Sequence, residues 1–395
     1  MPSYRKLPSG LWQAVVYRPD GRRTTKTDKL KGVVKEWAED LENRYRRGER
    51  HDPRAGEILV ADWRKRAMSA RGLEMPTLQK SASIWRTHCE PAWGDWPLKA
   101  VTRAEAQAWA NKLRTTRRAR RAAGEDEAPF LSAATVHEAV HAMSSLYLLA
   151  LNEDPPVVTS NPFARLELPK IEPRIVEFYE HAEAGALYTA IEKHEGPRGG
   201  RRWRLMVELG MDIGLRPGEL YGLHVDRVDW DRGLVHVHRV MTRFGLREYP
   251  KSKKSRRSVP IPESTLKALG DELGMARRWA GRCSCPKVMP DGTTKPGAGP
   301  CNGLVFSSHE GGPVDDGRFR TRVWYPAIER AGVREFPPRI MRHTAASWLV
   351  MDGVPLYDVQ HLLGHESFTT TQRYAHLAPD HHDKVRASWE RRKGS

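Results

Sequence analysis

The chain has 395 residues, 39% of them hydrophobic, enough for two or three domains that each bury a core, so disorder is excluded as its overall state. Its 66 Lys and Arg against 49 Asp and Glu leave a formal charge of +17, which favours a polyanionic partner bound with release of counterions. No apolar run approaches the roughly 18 residues of a membrane span, no signal-peptide core follows the start, and four cysteines are too few for a disulfide scaffold, which leaves a soluble cytoplasmic protein with nucleic acid as its first partner.

Residues 1–52 begin with the apolar run Trp12 to Tyr17, then the turn Pro19-Asp20-Gly21, then basic Arg22 to Lys26, a pattern that predicts a hairpin. Val33, Val34, Trp37, Leu41 and Tyr45 follow at helical spacing, so this part is expected to be a small α+β module. Residues 53–172 are expected to form an all-α domain, with helices over Ile58–Met68, Leu78–Thr87, Arg103–Leu113 and Ser132–Leu151. Between the last two lie the basic run Arg114 to Arg121 and acidic Glu125-Asp126-Glu127, read as a solvated loop. The proline-rich stretch from Asp154 to Pro173 reads as a linker and places a boundary near residue 172.

Residues 173–395 are expected to be a mixed α/β, mainly helical domain. A helix over Arg202–Ile213 stops at Gly214-Leu215-Arg216-Pro217-Gly218-Glu219, where Pro217 can open the next helix and Glu219 sits in its first turn, buttressing it. Three short antiparallel strands are predicted at Gly233–His238, Gly245–Tyr249 and Ser258–Ile261, with the basic tip Lys251 to Arg257 between the last two. A Gly- and Pro-rich insertion near 281–303 holds Cys283, Cys285 and Cys301, and from Asp315 onward the pattern is helical.

The C-terminal half also carries the residue types that metal-free phosphodiester transfer needs: Arg216, Lys251, Arg342, His365 and, nine positions later, Tyr374. Planar guanidinium groups meet the charge that gathers on nonbridging oxygens of a phosphorane-like transition state. A positioned ammonium can protonate the leaving 5′-oxygen.

Through Gly-Leu-Arg216-Pro-Gly-Glu219-Leu, Arg342-His-Thr-Ala-Ala-Ser, Leu-Gly-His365 and Thr-Thr-Gln-Arg-Tyr374, the chain resembles the tyrosine recombinases, the phage integrase family, over most of residues 173–380. The resemblance implies a multidomain protein: an arm-type DNA-binding-like module (1–52), a helical, SAM-like core-binding domain (53–172) and a tyrosine-recombinase catalytic domain (173–395). It implies a site-specific recombinase that integrates or excises a phage or mobile element through a 3′-phosphotyrosyl bond. Tyr374 would be the nucleophile, Arg216 and Arg342 the phosphate clamp, His365 the second histidine, and Lys251 the hairpin lysine, with Lys253 as the alternative. No cofactor is implied, in keeping with the lack of a Gly-x-x-x-x-Gly-Lys-Ser/Thr loop. The implied partners are double-stranded attachment-site DNA, further copies forming a tetramer onto which the segment from Pro379 to Lys393 would dock, and accessory bending or excision factors, all in a bacterial cytoplasm at the nucleoid. Two alternatives stay open: a chromosome or plasmid dimer resolvase, and a non-catalytic DNA-binding regulator of the same fold.

One departure is plain: Arg339 stands where the family usually has histidine, and a guanidinium cannot accept the proton of the attacking phenol. Activity is expected to survive because the surrounding positive field lowers the pKa of Tyr374. His343, His376, His381 and His382 flank the site and receive no chemistry on sequence grounds. Cys283, Cys285 and Cys301 lack an obvious fourth ligand, so free thiols are the first reading and a structural zinc site the second.

Overall fold

The computed structural model describes residues 2–17, 21, 23–46, 54–71, 75–118, 129–172, 175–194, 196–248, 256–274, 284–289, 291–297, 303–308, 311–379, 386 and 389–392. The chain divides into two compact units, Met1–Pro173 and Arg174–Ser395.

The first unit opens with β1 (Ser3–Lys6), β2 (Trp12–Tyr17) and β3 (Arg23–Asp28), an antiparallel sheet in the order β1-β2-β3. The expected hairpin is therefore joined by a strand that polar Ser3-Tyr4-Arg5-Lys6 did not advertise. On α1 (Lys31–Arg46), Val34, Ala38 and Leu41 recur at one-turn spacing and close over Ala14 and Val16 of β2. The opposite sheet face presents Arg5, whose Nε donates to Gln13 Oε1 at 2.8 Å, with Thr27 next in register.

Helices α2 (Val60–Ser69) and α3 (Met75–Ile84) follow, and α3 continues through a π-helical turn, Trp85–Cys89, into α4 (Glu90–Trp93). A capping box starts α5 (Arg103–Arg114): Glu105 N–H donates to Thr102 Oγ1 at 3.3 Å and Thr102 N–H donates to Glu105 Oε2 at 3.0 Å. Ser132 caps α6 (Ala133–Leu151). These helices share a core of Trp63, Met143, Tyr147 and Phe163; Trp63 Nε1 donates to Leu146 O at 3.1 Å, and Tyr147 Oη to Leu98 O at 2.9 Å.

In the second unit, α7 (His181–His194), which sequence periodicity missed, packs on α8 (Gly196–Ile213), followed by the single turn α9 (Pro217–Tyr221). Strands β4 (Val228–Asp229), β5 (Leu234–Val237), β6 (Val240–Thr242), β7 (Gly245–Arg247) and β8 (Arg257–Pro260) come next, then α10 (Glu263–Glu272), β9 (Lys287–Val288) and β10 (Thr294–Lys295). The three expected strands do not share a sheet. β5 lies between β4 and β8, with Val235 opposite Val259, whereas β7 pairs with β6 and β9 in a sheet ordered β10-β9-β7-β6. Gly245, at φ +127°, lets the chain reverse directly after Phe244, so short Val240–Thr242 becomes the partner of β7.

The rest is helical: α11 (Asp316–Phe319), a π-helical turn Arg320–Trp324, α12 (Tyr325–Ala331), α13 (Ile340–Met351), α14 (Leu356–Leu363) and α15 (Phe368–Gln372). Met206, Leu209, Phe306 and Trp324 centre the main core, and Val176, Ala346, Val350, Val359 and Leu363 form a second, smaller one. Much of the segment from Pro379 to Lys393 lies outside the described residues. Among the described residues no helix is long and apolar enough to cross a membrane.

Trp63 is fully buried at the centre of the helical core. Trp63→Ala is expected to destabilise the first unit by about 3–5 kcal/mol, read as an earlier urea transition of that unit while the transition of residues 174–395 stays in place.

Candidate active site

The site begins where α8 ends. Gly214 takes φ +66°, and a Cβ there would lie 2.4 Å from Leu363 Cδ2 and 3.2 Å from Ala345 Cβ, so only glycine lets the chain pass this close to α13 and α14. Two residues on, Arg216 is the N-cap of α9, with Pro217 at the first helical position. Glu219 Oε2 accepts the Arg216 backbone N–H at 2.9 Å, and its Oε1 accepts from Arg216 Nη1, also at 2.9 Å.

That carboxylate is 4% exposed and holds a second guanidinium. Arg257, the first residue of β8, donates Nη1 to Oε1 at 3.2 Å, Nη2 to Oε2 at 2.8 Å, and Nε to Leu362 O at 2.7 Å. Arg342, on α13 and equally buried, donates Nη1 to Gly214 O at 2.9 Å and Nη2 to Leu363 O at 2.6 Å. The free carbonyls at the end of α14 thus receive two arginines, the charge a helix C-terminus favours. Gly364, at φ +65°, ends α14 and swings out His365, whose Nδ1 lies 2.9 Å from Thr371 Oγ1 on α15.

Burial alone would push the Glu219 carboxyl up, but Arg257, then Arg216 and Arg342, pull it down to about 2. Burial and then the field of Arg216 bring Arg342 down to about 9, still a cation at neutral pH. His365 falls to about 3 through burial and the charges of Arg342, Arg216 and Arg257, so its ring is neutral. The outcome is a pocket with more guanidinium than carboxylate, built to receive an anion.

Tyr374 follows α15 and is 2% exposed, packed in the smaller core with Ala346, Val350 and Leu363. Its hydroxyl lies 2.7 Å from His343 Nδ1. The lowered phenol pKa expected from the positive field is not found in this conformation: burial raises it, and the opposing fields of Arg342, Arg373 and Arg339 do not outweigh that. His343 is itself lowered to about 4, first by burial and then by Arg339, Arg373 and Arg342. Arg339 is exposed at the N-cap of α13.

Arg216, Arg342 and His365 are therefore gathered in one region, with Tyr374 on a neighbouring segment within the field of Arg342. Lys251, its alternative Lys253, Cys283 and Cys301 lie outside the described residues. Cys285 is buried. Among the described residues no group of three or more His, Cys, Asp or Glu is arranged to hold a metal. Sequence reasoning missed Arg257, which looked like one more charge in a basic run, and His343, whose only signal was its place beside Arg342.

Glu219→Gln leaves the buried Arg257 without its counter-ion, and a loss of about 3 kcal/mol in the second unit is expected from breaking such a pair. Because the folded carboxyl titrates at about 2 against an ordinary 4.5, its stabilising effect is complete above the ordinary value and fades as pH falls towards the folded one. Urea unfolding at pH 7 and at pH 3 should show a smaller gap between parent and variant in acid.

Residues 177–381 match the phage integrase family. The integrase of Salmonella phage P22 is 28% identical over 179 residues, 45% of this chain and 39% of that protein, so the chain matches about two fifths of that relative. The tyrosine recombinase XerC of Bacillus pumilus is 29% identical over 250 residues, 63% of this chain and 72% of the relative. Among solved structures, the Tn1549 transposon integrase in complex with transposon right end DNA superposes with a TM-score of 0.62 at 19% identity, covering 85% of this chain and 99% of that one. A lambda integrase tetramer bound to a Holliday junction gives 0.56 at 19% identity, with 94% of each chain covered. At these identities the structural likeness speaks for the fold, and the family match spans more than half the chain. The chain belongs to the phage integrase family, the tyrosine recombinases.

Proposed function

We propose that this protein is a site-specific DNA recombinase that breaks and rejoins strands through a 3′-phosphotyrosyl intermediate, integrating or excising a phage or other mobile element. The observation that carries this reading is the pocket of Arg216, Arg257 and Arg342 around the single carboxylate of Glu219, with neutral His365 at its edge and the Tyr374 phenol on the adjoining segment. Such a pocket suits a phosphodiester whose charge grows during in-line attack. Arg216, whose side chain is 42% exposed, would meet a nonbridging oxygen, and Arg342 the other; His365 would donate a hydrogen bond from Nε2. Lys251, with Lys253 as alternative, would protonate the leaving 5′-oxygen.

In this reading residues 1–52, 53–172 and 173–395 are an arm-type module, a core-binding domain and a catalytic domain. The open face of the β1-β2-β3 sheet, with Arg5, Gln13 and Thr27, supports the first assignment, since a polar sheet face can read a DNA groove. The working unit is a tetramer on two duplexes in the bacterial cytoplasm, assisted by DNA-bending or excision factors. Burial of Tyr374 favours a second reading, a DNA-binding regulator of the same fold.

A nicked suicide duplex carrying the attachment site separates the two. The recombinase should migrate as a protein–DNA adduct that Tyr374→Phe abolishes and Arg216→Ala slows by ~10²–10³-fold, the usual effect of removing one charge-stabilising donor; tight binding by the parent with no adduct favours the regulator. Deleting residues 1–52 should abolish recombination at compound attachment sites yet leave cleavage of the suicide duplex. A dimer resolvase acting on simple sites would instead recombine with little change.

A further inference from the structure

Tyr374 and His343 form the one contact that the reacting hydroxyl makes here among the described residues. Oη lies 2.7 Å from Nδ1, with ring centroids 6.1 Å apart and a 38° tilt. The usual place for a proton acceptor is filled by Arg339, which has no lone pair to offer at neutral pH. His343 stands beside Arg342 on α13, so a phosphate gripped by Arg342 arrives one residue from this imidazole. The charged and titratable groups acting on the ring come from both flanking elements: Arg339 and Arg342 on α13, Arg373 and Tyr374 after α15, and His365 after α14. The three arginines keep the imidazole neutral, the form that accepts a proton.

We infer that His343 is a catalytic residue, the general base that takes the phenolic proton of Tyr374 during strand cleavage. The inference rests on the recombinase reading. Tyr374 Oη bonds to phosphorus as its proton passes to His343 Nδ1. The bond from phosphorus to the 5′-oxygen breaks, and that oxygen leaves with a proton from a separate acid. In rejoining, a 5′-hydroxyl attacks, the phosphotyrosyl bond breaks, and the imidazolium returns its proton to the departing phenolate. A phosphodiester entering the pocket neutralises part of the field of Arg339, Arg342 and Arg373, so the ring gains affinity for the proton as charge builds on phosphorus. The phenol leaves its seat in the smaller core to reach that phosphate, and the hydrogen bond to His343 orients it.

The test is the single-turnover rate of adduct formation on the nicked duplex by full-length protein. His343→Ala is expected to lower it by ~10²–10⁴-fold, the range for loss of a general base, with duplex affinity retained. Added imidazole should restore part of the rate, increasingly as pH rises through the imidazole pKa. Arg339→His in the His343→Ala background should also recover activity by returning a base to its usual place. His343→Gln, which keeps a hydrogen-bonding side chain without a basic nitrogen, should be slow as well, and it serves if the alanine variant does not fold. A His343→Ala protein that forms adduct at the parent rate or faster overturns the assignment, as does a slow one that neither imidazole nor Arg339→His rescues. Failure of the parent itself to form a Tyr374-dependent adduct defeats the recombinase reading instead.

Discussion

The catalytic half of this molecule depends on one buried carboxylate. Glu219 caps the turn that presents Arg216, accepts both Nη atoms of Arg257, and lies within the field of Arg342. Each of these arginines comes from a different element: a helix start, a strand start and the interior of α13. Without the carboxylate, three guanidinium groups would face each other in a desolvated space, an arrangement no folding energy of ordinary size would hold. The backbone completes the arrangement, because the carbonyls of Gly214, Leu362 and Leu363 take hydrogen bonds that water would otherwise make. Arg257 therefore has a structural task that its neighbours in the basic run do not share: it ties the strand after the lysine-rich segment to the end of α14.

The same field acts on the nucleophile, and there a second force wins. Three arginines favour the phenolate of Tyr374, yet enclosure among Ala346, Val350 and Leu363 removes the water that a phenolate needs, and the net result is a less acidic hydroxyl. A tyrosine kept this way is protected from unproductive hydrolysis and transfer. Its reactivity then depends on uncovering, a motion of the short α15 segment whose only polar tie to α14 on the page is the bond between His365 and Thr371.

Much of this was legible in the sequence. Gly214-Leu-Arg216-Pro-Gly-Glu219 announced a helix stop and restart because glycine and proline have few other uses in such order, and the structure places both events there. Apolar periodicity located α5 and α6 almost to the residue, since their caps, Thr102 and Ser132, are written beside the periodic run. Helix α7 was missed because its sequence mixes His, Gly and Thr into the apolar spacing and its burial is decided by the partner α8. The strand pairing was misjudged because register among strands of three or four residues is set by turn geometry, here Gly245, more than by hydrophobic pattern. His343 was passed over for a related reason: the sequence shows its neighbour Arg342 but not the segment, thirty-one residues later, that folds its hydroxyl against it.

A pocket with more guanidinium than carboxylate is unfinished by construction. Arg342 is brought down to about 9 by the loss of water and by Arg216, which measures how poorly the empty site tolerates its own charge. A phosphodiester supplies the missing anion, relieves that repulsion, and so stabilises the folded second unit in proportion to its occupancy. The strain falls on the groups that grip DNA, while the apolar core around Met206, Leu209 and Trp324 carries the stability that lets them wait. The molecule's overall charge of +17 brings the polyanion near, but the arrangement around Glu219 decides which oxygen atoms it must present.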